Sequence, residues 1–215
     1  FLKPAKEDVM KEKTLFSGNL LKKIIVIVAG SIIAAYGITL ALYAGFGGAT
    51  LAVLWQGISQ TFHISMGMAS FAVAVVMILF ALFYDRKQIH IGTILYQVVY
   101  SVCVDLFANC HVYSEYLWLN LLIMLLGIVL FAAGTGLYAS ASLGRGSYEA
   151  LTFALAEKNN WQVKTVRMVL DALMVIIGVL LGGKFGICTV VTILISGPII
   201  QFVNSKAKKV LRISP

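Results

Sequence analysis

The sequence predicts an all-α integral membrane protein with six transmembrane helices and two re-entrant half-helices. These are built as an inverted-topology internal repeat with both termini in the cytoplasm. Three observations lead there. Of 215 residues, 60% are hydrophobic and only 12% charged, against roughly 25% charged in soluble domains, and the mean hydropathy is +0.93. Two glycine-broken segments, too short to span a bilayer, each sit between longer apolar runs, an arrangement that recurs in transporter folds. Finally, the basic residues gather at the ends of the hydrophobic runs. The formal charge of +8 is therefore explained by lipid headgroups and the positive-inside bias, not by nucleic acid.

Residues 1–23 hold six lysines and read as a cytoplasmic tail, with Val9–Met10 and Leu15–Phe16 able to lie on the membrane surface as a weakly amphipathic helix. No small-residue cleavage site follows, so the first span is expected to stay as an anchor. The first membrane repeat, 24–110, starts with a span over Ile24–Ala44, close to the ~20 residues a hydrocarbon core requires. The first broken segment follows, with an apolar half-helix over 49–62. Ser65 is a suitable N-cap for the next span, Met66–Tyr84. The turn Asp85-Arg86-Lys87-Gln88 leads into Ile89–Cys110. Tyr113, Tyr116 and Trp118 suit an interfacial belt.

The second repeat, 116–203, has the same order: a span over Tyr116–Ala139, a half-helix over 147–158, a polar turn at Asn159–Gln162, a span over Val163–Leu181, and a last span over Ile187–Phe202 carrying Gly197-Pro198. Residues 204–215 form a basic cytoplasmic tail. Aligned at an offset of 97, Gly30 falls on Gly127, Gly37 on Gly134, Gly47 on Gly144 and Leu54 on Leu151. Near the end of each half the offset is 96, with Ile91 on Ile187 and Thr93 on Thr189. If the half-helices do not cross, 16 of the 17 lysines and arginines lie inside, with Lys184 the exception. If both cross, the split falls to 13 and 4. The bias of these residues is the main determinant of orientation, so six spans are expected. Three spans per half then invert the second half relative to the first.

The order of elements, Gly-x-Gly-Ser-Tyr-Glu-Ala-Leu in the second half, and Arg167 with Asp171 four residues on are three parts of a recognisable set. Leu-Gly-Gly-Lys-Phe-Gly-Ile-Cys-Thr followed by Ile-Ser-Gly-Pro-Ile-Ile completes it. The whole resembles the YczE/YyaS/YitT family of bacterial membrane proteins over roughly residues 24–204. The resemblance implies a multi-spanning bacterial membrane protein, with transport among the activities open to it. Two departures stand out: Cys188 occupies an expected glycine position, and Gly-Gly-Ala-Thr-Leu-Ala in the first half replaces a proline, an aromatic residue and an acid.

Ionisable residues at membrane depth are costly and face a cavity or a partner. Arg145 lies in a glycine-flanked turn, and Glu149 in the first turn of the second half-helix, where the helix dipole favours a carboxylate. Arg167 and Asp171 are one turn apart and share a face. These four are read either as an anion site completed by a half-helix N-terminus, with Gly146 and Ser147, or as a static salt-bridge network. From the first half, Gly47, Gly48 and Thr50 would complete the site. Gln97, Ser101 and Asp105 form a polar stripe that lines either a water-filled path or a helix–helix contact. His63 is read as a solvated or capping residue, with a proton relay as the alternative, and the three cysteines as buried free thiols.

The glycine-rich segments lack the P-loop lysine-serine pair, and no nucleophilic triad, metal-ligand spacing or soluble domain is visible. The expectation is therefore no enzyme, no cofactor, no metal and no nucleic-acid partner. The favoured function is a secondary transporter or facilitator of a small molecule, an anion by the charge of the arginines, across the bacterial plasma membrane. The alternatives are an accessory or scaffold protein for a membrane-bound partner, and a lipid translocator. Homo-oligomerisation is left open.

Overall fold

A computed structural model describes residues 6–110 and 113–211. Eight α-helices are formed: α1 (Lys6–Tyr43), α2 (Thr50–Phe62), α3 (Met66–Tyr84), α4 (Ile91–Phe107), α5 (Leu117–Ser140), α6 (Ser147–Asn159), α7 (Val163–Leu180) and α8 (Ile187–Leu211), with a 3-10 turn at Arg86–Gln88. The described residues contain no strand. The protein is an α-helical membrane protein. Four stretches, Leu20–Tyr43, Met66–Tyr84, Leu117–Ser140 and Ile187–Leu211, are long and apolar enough to cross a bilayer. Helix α4 is shorter, and α7 carries Lys164, Arg167 and Asp171 in its first half.

Helix boundaries follow local chemistry. Ser65 caps α3, its hydroxyl accepting from the Met68 N–H at 3.1 Å. Helices α2 and α6 both end on a residue in the left-handed conformation, His63 (φ 54°) and Asn160 (φ 53°), which breaks the helical path. His63 is exposed there, consistent with a capping role. Helix α4 is shorter than expected, Ile91–Phe107 in place of Ile89–Cys110, and two other ends differ by more. Helix α1 begins at Lys6, so most of the lysine-rich segment continues the first span; residues 1–5 lie outside the described part. Helix α8 runs through Pro198 to Leu211, because proline costs only one main-chain hydrogen bond and a kink when neighbouring turns continue.

The centre of the molecule is the antiparallel crossing of α1 and α5. Gly30 faces Gly134, and Gly37 faces Gly127. A Cβ at Gly30 would lie 2.6 Å from the Tyr138 nitrogen, and one at Gly127 2.6 Å from the Ala41 nitrogen. Small residues at this spacing bring two helix backbones into contact, the usual means of helix association where the surroundings are as apolar as the side chains. Around this pair, α4 packs on α1 and α8 on α5, while α2 packs on α7 and α6 on α3.

Residues 96 or 97 apart make matching bonds. The Gly92 N–H donates to Leu143 O at 3.0 Å, and the Cys188 N–H to Phe46 O at 3.0 Å. Thr93 Oγ1 donates to Arg145 O at 2.6 Å, and Thr189 Oγ1 to Gly48 O at 2.5 Å. Positive φ recurs at Gly45 and Ser142, Gly47 and Gly144, and His63 and Asn160. The seams match less well. Helix α3 packs along α4, whereas α7 and α8 make at most marginal contact.

Candidate functional site

Both short helices start at the same place. The first turns of α2 (Thr50, Leu51, Ala52) and of α6 (Ser147, Tyr148, Glu149) line one cavity of about 280 Å³. Their N-cap residues, Ala49 and Gly146, offer no side-chain cap. The first-turn N–H groups therefore have no intrahelical acceptor and carry the positive end of each helix dipole. Each helix is held there by the chain before it. Gly47 (φ 87°) and Gly144 (φ 126°) adopt conformations that side chains disfavour. The carbonyls of Gly48 and Arg145 are then fastened by Thr189 and Thr93, one from each half.

The cavity wall is mainly apolar and aromatic, with Ile38, Trp55, Val73, Met77, Tyr96, Tyr100 and Phe131, and polar groups converge on it from seven helices, α2 to α8. A buried chain of hydrogen bonds links three lining residues, Ser147, Gln97 and Ser70, through Ser101 behind them. Ser147 Oγ donates to Gln97 Oε1 at 3.4 Å, Gln97 Nε2 donates to Ser101 Oγ at 3.0 Å, and the Ser101 and Ser70 hydroxyls are 2.9 Å apart. The rings of Tyr96 and Tyr138 stack at 3.9 Å between centroids, and Trp55 meets Tyr100 edge-on at 5.9 Å. Trp55 Nε1 and the Tyr100 hydroxyl are buried with no hydrogen-bond partner, although Trp55 is only 6% exposed and Tyr100 2%. A buried donor without an acceptor costs roughly 1–3 kcal/mol. The indole N–H can only donate, so a visiting group that relieves it must bring an acceptor.

The charged residues of the lining are Lys164, Arg167, Asp171 and Glu149. The Arg167 guanidinium lies 5.5 Å from the centroid of the Tyr148 ring. The Tyr148 hydroxyl donates to Asp171 Oδ1 at 2.7 Å. The Glu149 carboxylate folds back beside the Cα of Gly146, close to the Tyr138 hydroxyl, at the N-terminus of its own helix. Among the described residues none of these charged groups forms an ion pair within 4.0 Å.

Of the residues singled out from the sequence, Thr50, Gln97, Gly146, Ser147, Glu149, Arg167 and Asp171 line the cavity. Five others have different surroundings. Arg145 lies over the Phe153 ring at 3.5 Å. Gly47 packs against Gly186. The N–H of Gly48 donates to Lys184 O at 3.1 Å. Ser101 stands one hydrogen bond behind the wall. Asp105 accepts from Ser65 Oγ and from the Gly67 N–H, both at 2.6 Å, and so secures the start of α3. Of the three thiols expected to be buried, Cys188 is, whereas Cys103 is partly exposed and Cys110, just beyond the end of α4, is exposed. Sequence reasoning passed over Lys164, Trp55 and Ser70. Lys164 was legible as the first member of a 164–167–171 face. Trp55 was not, because one aromatic in an apolar helix carries no sign of which way it turns.

A family model described as "Family of unknown function (DUF6198)" matches residues 21–205. The chain is 27% identical over 175 residues to a protein of Bacillus subtilis (strain 168) named "Uncharacterized membrane protein YczE", covering 81% of each chain. It is 27% identical over 165 residues to an "Uncharacterized protein" of Haemophilus influenzae, covering 76% of this chain and 74% of that one. It is 21% identical over 175 residues to "Uncharacterized protein YyaS" of Bacillus subtilis, covering 80% of this chain and 87% of that one. The resemblance seen in the motifs is thus met by relatives bearing two of the three family names. No solved structure matches the chain.

Proposed function

The chain belongs to DUF6198, a family of unknown function, and from that premise we propose that it is a secondary transporter or facilitator of a small anionic molecule in the bacterial plasma membrane. The observation that carries this reading is that two uncapped half-helix N-termini open into one cavity. Convergent helix N-termini stabilise an anion through free N–H groups and the dipole. Discontinuous helices that meet near the midplane are how many secondary transporters build their substrate sites.

In this reading α4 and α7 also cross the bilayer, giving six spans with both termini cytoplasmic, and α2 and α6 are re-entrant. At about 1.5 Å per residue, a 13-residue helix reaches about 20 Å, short of a ~30 Å hydrocarbon core. The two halves are inverted copies. The matching bonds at offsets of 96 and 97, the glycine pairs of the α1–α5 crossing and the antiparallel run of those helices support this. Arg167 and Lys164 receive the anion, and Glu149, the resident anion at the α6 N-terminus, yields to it. The chemistry asked of these groups is binding and release, not catalysis, and needs no cofactor.

The test is flux across liposomes holding the purified protein, over a panel of small organic and inorganic anions. Arg167→Ala is expected to reduce flux at least tenfold, and Glu149→Ala to alter its dependence on substrate concentration. If no anion moves and both substitutions leave cells unchanged, transport is wrong. A membrane accessory protein, the competing reading, has no need of a polar cavity with unpartnered donors and should copurify with a partner.

A further inference from the structure

We propose that the seam between α7 and α8 is a lateral portal, and that the ligand is an anionic amphiphile whose acidic head enters the cavity from the bilayer while its apolar tail stays in the seam. This rests on the transport reading above and narrows its substrate class.

The two halves differ at this seam. In the first half α3 closes on α4: a Cβ at Gly67 would collide with Ser101 O and the Asp105 carboxylate, and Ser70 bonds Ser101. At the 97-residue offset, Gly67 corresponds to Lys164 and Ser70 to Arg167. Where one pair of helices meets through glycine and serine, the other carries two long cationic side chains. Helix α7 therefore cannot approach α8 as α3 approaches α4. The consequence is visible on α8: a Cβ at Gly197 would meet nothing within 4 Å. Gly197 is the counterpart, at the 96-residue offset, of the closely packed Ser101.

The cavity reaches the outside through this gap. Met168 on α7 and Ile193 on α8 both line it, yet they are 63% and 51% exposed. One turn along from each, Ala172 and Val190 are also exposed and apolar, so at this depth the opening meets lipid tails. Behind the apolar lips stand Lys164 and Arg167, neither ion-paired among the described residues. Deeper are the two helix N-termini and the unpartnered Trp55 and Tyr100 donors. Cations and donors inside and hydrocarbon at the mouth fit an acid that carries a tail. A freely soluble anion has no need of a sideways door.

Trp55 can report occupancy. In a Trp118→Phe, Trp161→Phe background, full-length protein in lipid nanodiscs is titrated with three nitroxide quenchers: stearate labelled beside its carboxylate, stearate labelled at the chain end, and a water-soluble nitroxide carboxylate. Saturable quenching of Trp55 is expected from the first, much less from the second and none from the third. Arg167→Gln should weaken it at least tenfold, since a hydrogen bond to a charged group contributes roughly that much. Gly197→Phe, which fills open space and leaves the fold intact, should abolish it. Equal quenching by the soluble carboxylate, unaffected by Gly197→Phe, overturns the portal and leaves soluble-anion transport standing. If no quencher reaches Trp55 saturably, both readings fall. If Gly197→Cys forms a disulfide between two copies with high yield, the seam is an interface between protomers and the portal is overturned.

Discussion

Asp105 and Gln97 lie on one polar stripe of α4, two turns apart, yet they do different work. Gln97 joins the cavity to the Ser101–Ser70 pair, whereas Asp105 accepts two hydrogen bonds at the start of α3. The sequence allowed both a path and a helix contact for the stripe, and each describes one end of it. Asp105→Ala should therefore lower the thermal midpoint in detergent, by an amount equivalent to about 2 kcal/mol for the loss of a charged acceptor. Nitroxide quenching of Trp55 in the folded protein should stay unchanged. Loss of quenching with an unaltered midpoint would put Asp105 in the ligand path instead.

At the scale of elements, the half-helices depend on bonds made by the other half of the chain. Thr93 holds the Arg145 carbonyl ahead of α6, and Thr189 holds the Gly48 carbonyl ahead of α2. Thr93→Val and Thr189→Val keep the shape and remove the donor, leaving a carbonyl short of its partner. Each is expected to cost about 1–3 kcal/mol of stability, read by thermal unfolding, and the double substitution should cost about the sum because the sites do not touch. A loss confined to one of the two would argue that the halves are not mechanically equivalent. The short length of α2 and α6 was legible from glycine spacing and apolar run length. The bonds that hold them were not, because no local pattern marks which threonine in a distant helix will meet a given carbonyl.

Across the whole molecule, the α1–α5 crossing and the α7–α8 gap are opposite extremes of helix approach. Gly30→Leu or Gly134→Leu would drive a side chain into a facing backbone. These substitutions should prevent recovery of monodisperse protein or lower its midpoint severely. Gly197→Leu points into open space and should leave the midpoint within the equivalent of about 1 kcal/mol. A severe loss there would mean that α8 is packed in the membrane against something that fills the gap.

The sequence by itself determined membrane residence, the order and nearly all the boundaries of the helices, the two broken segments and the offset that relates the halves. These are set by hydropathy, periodicity and turn residues, which act between neighbours along the chain. It also grouped Arg145, Glu149, Arg167 and Asp171 as one cluster, of which the structure brings the last three to the cavity and sets Arg145 over Phe153 instead. Only the tertiary structure decided that both half-helix N-termini share a cavity, that Trp55 and Tyr100 face it without partners, and that one seam is shut while its counterpart is open. Those outcomes depend on how closely two backbones can approach. That distance is set where helices cross by the summed volume of side chains from remote positions: glycine against Ser101 in one half, Lys164 and Arg167 beside Gly197 in the other.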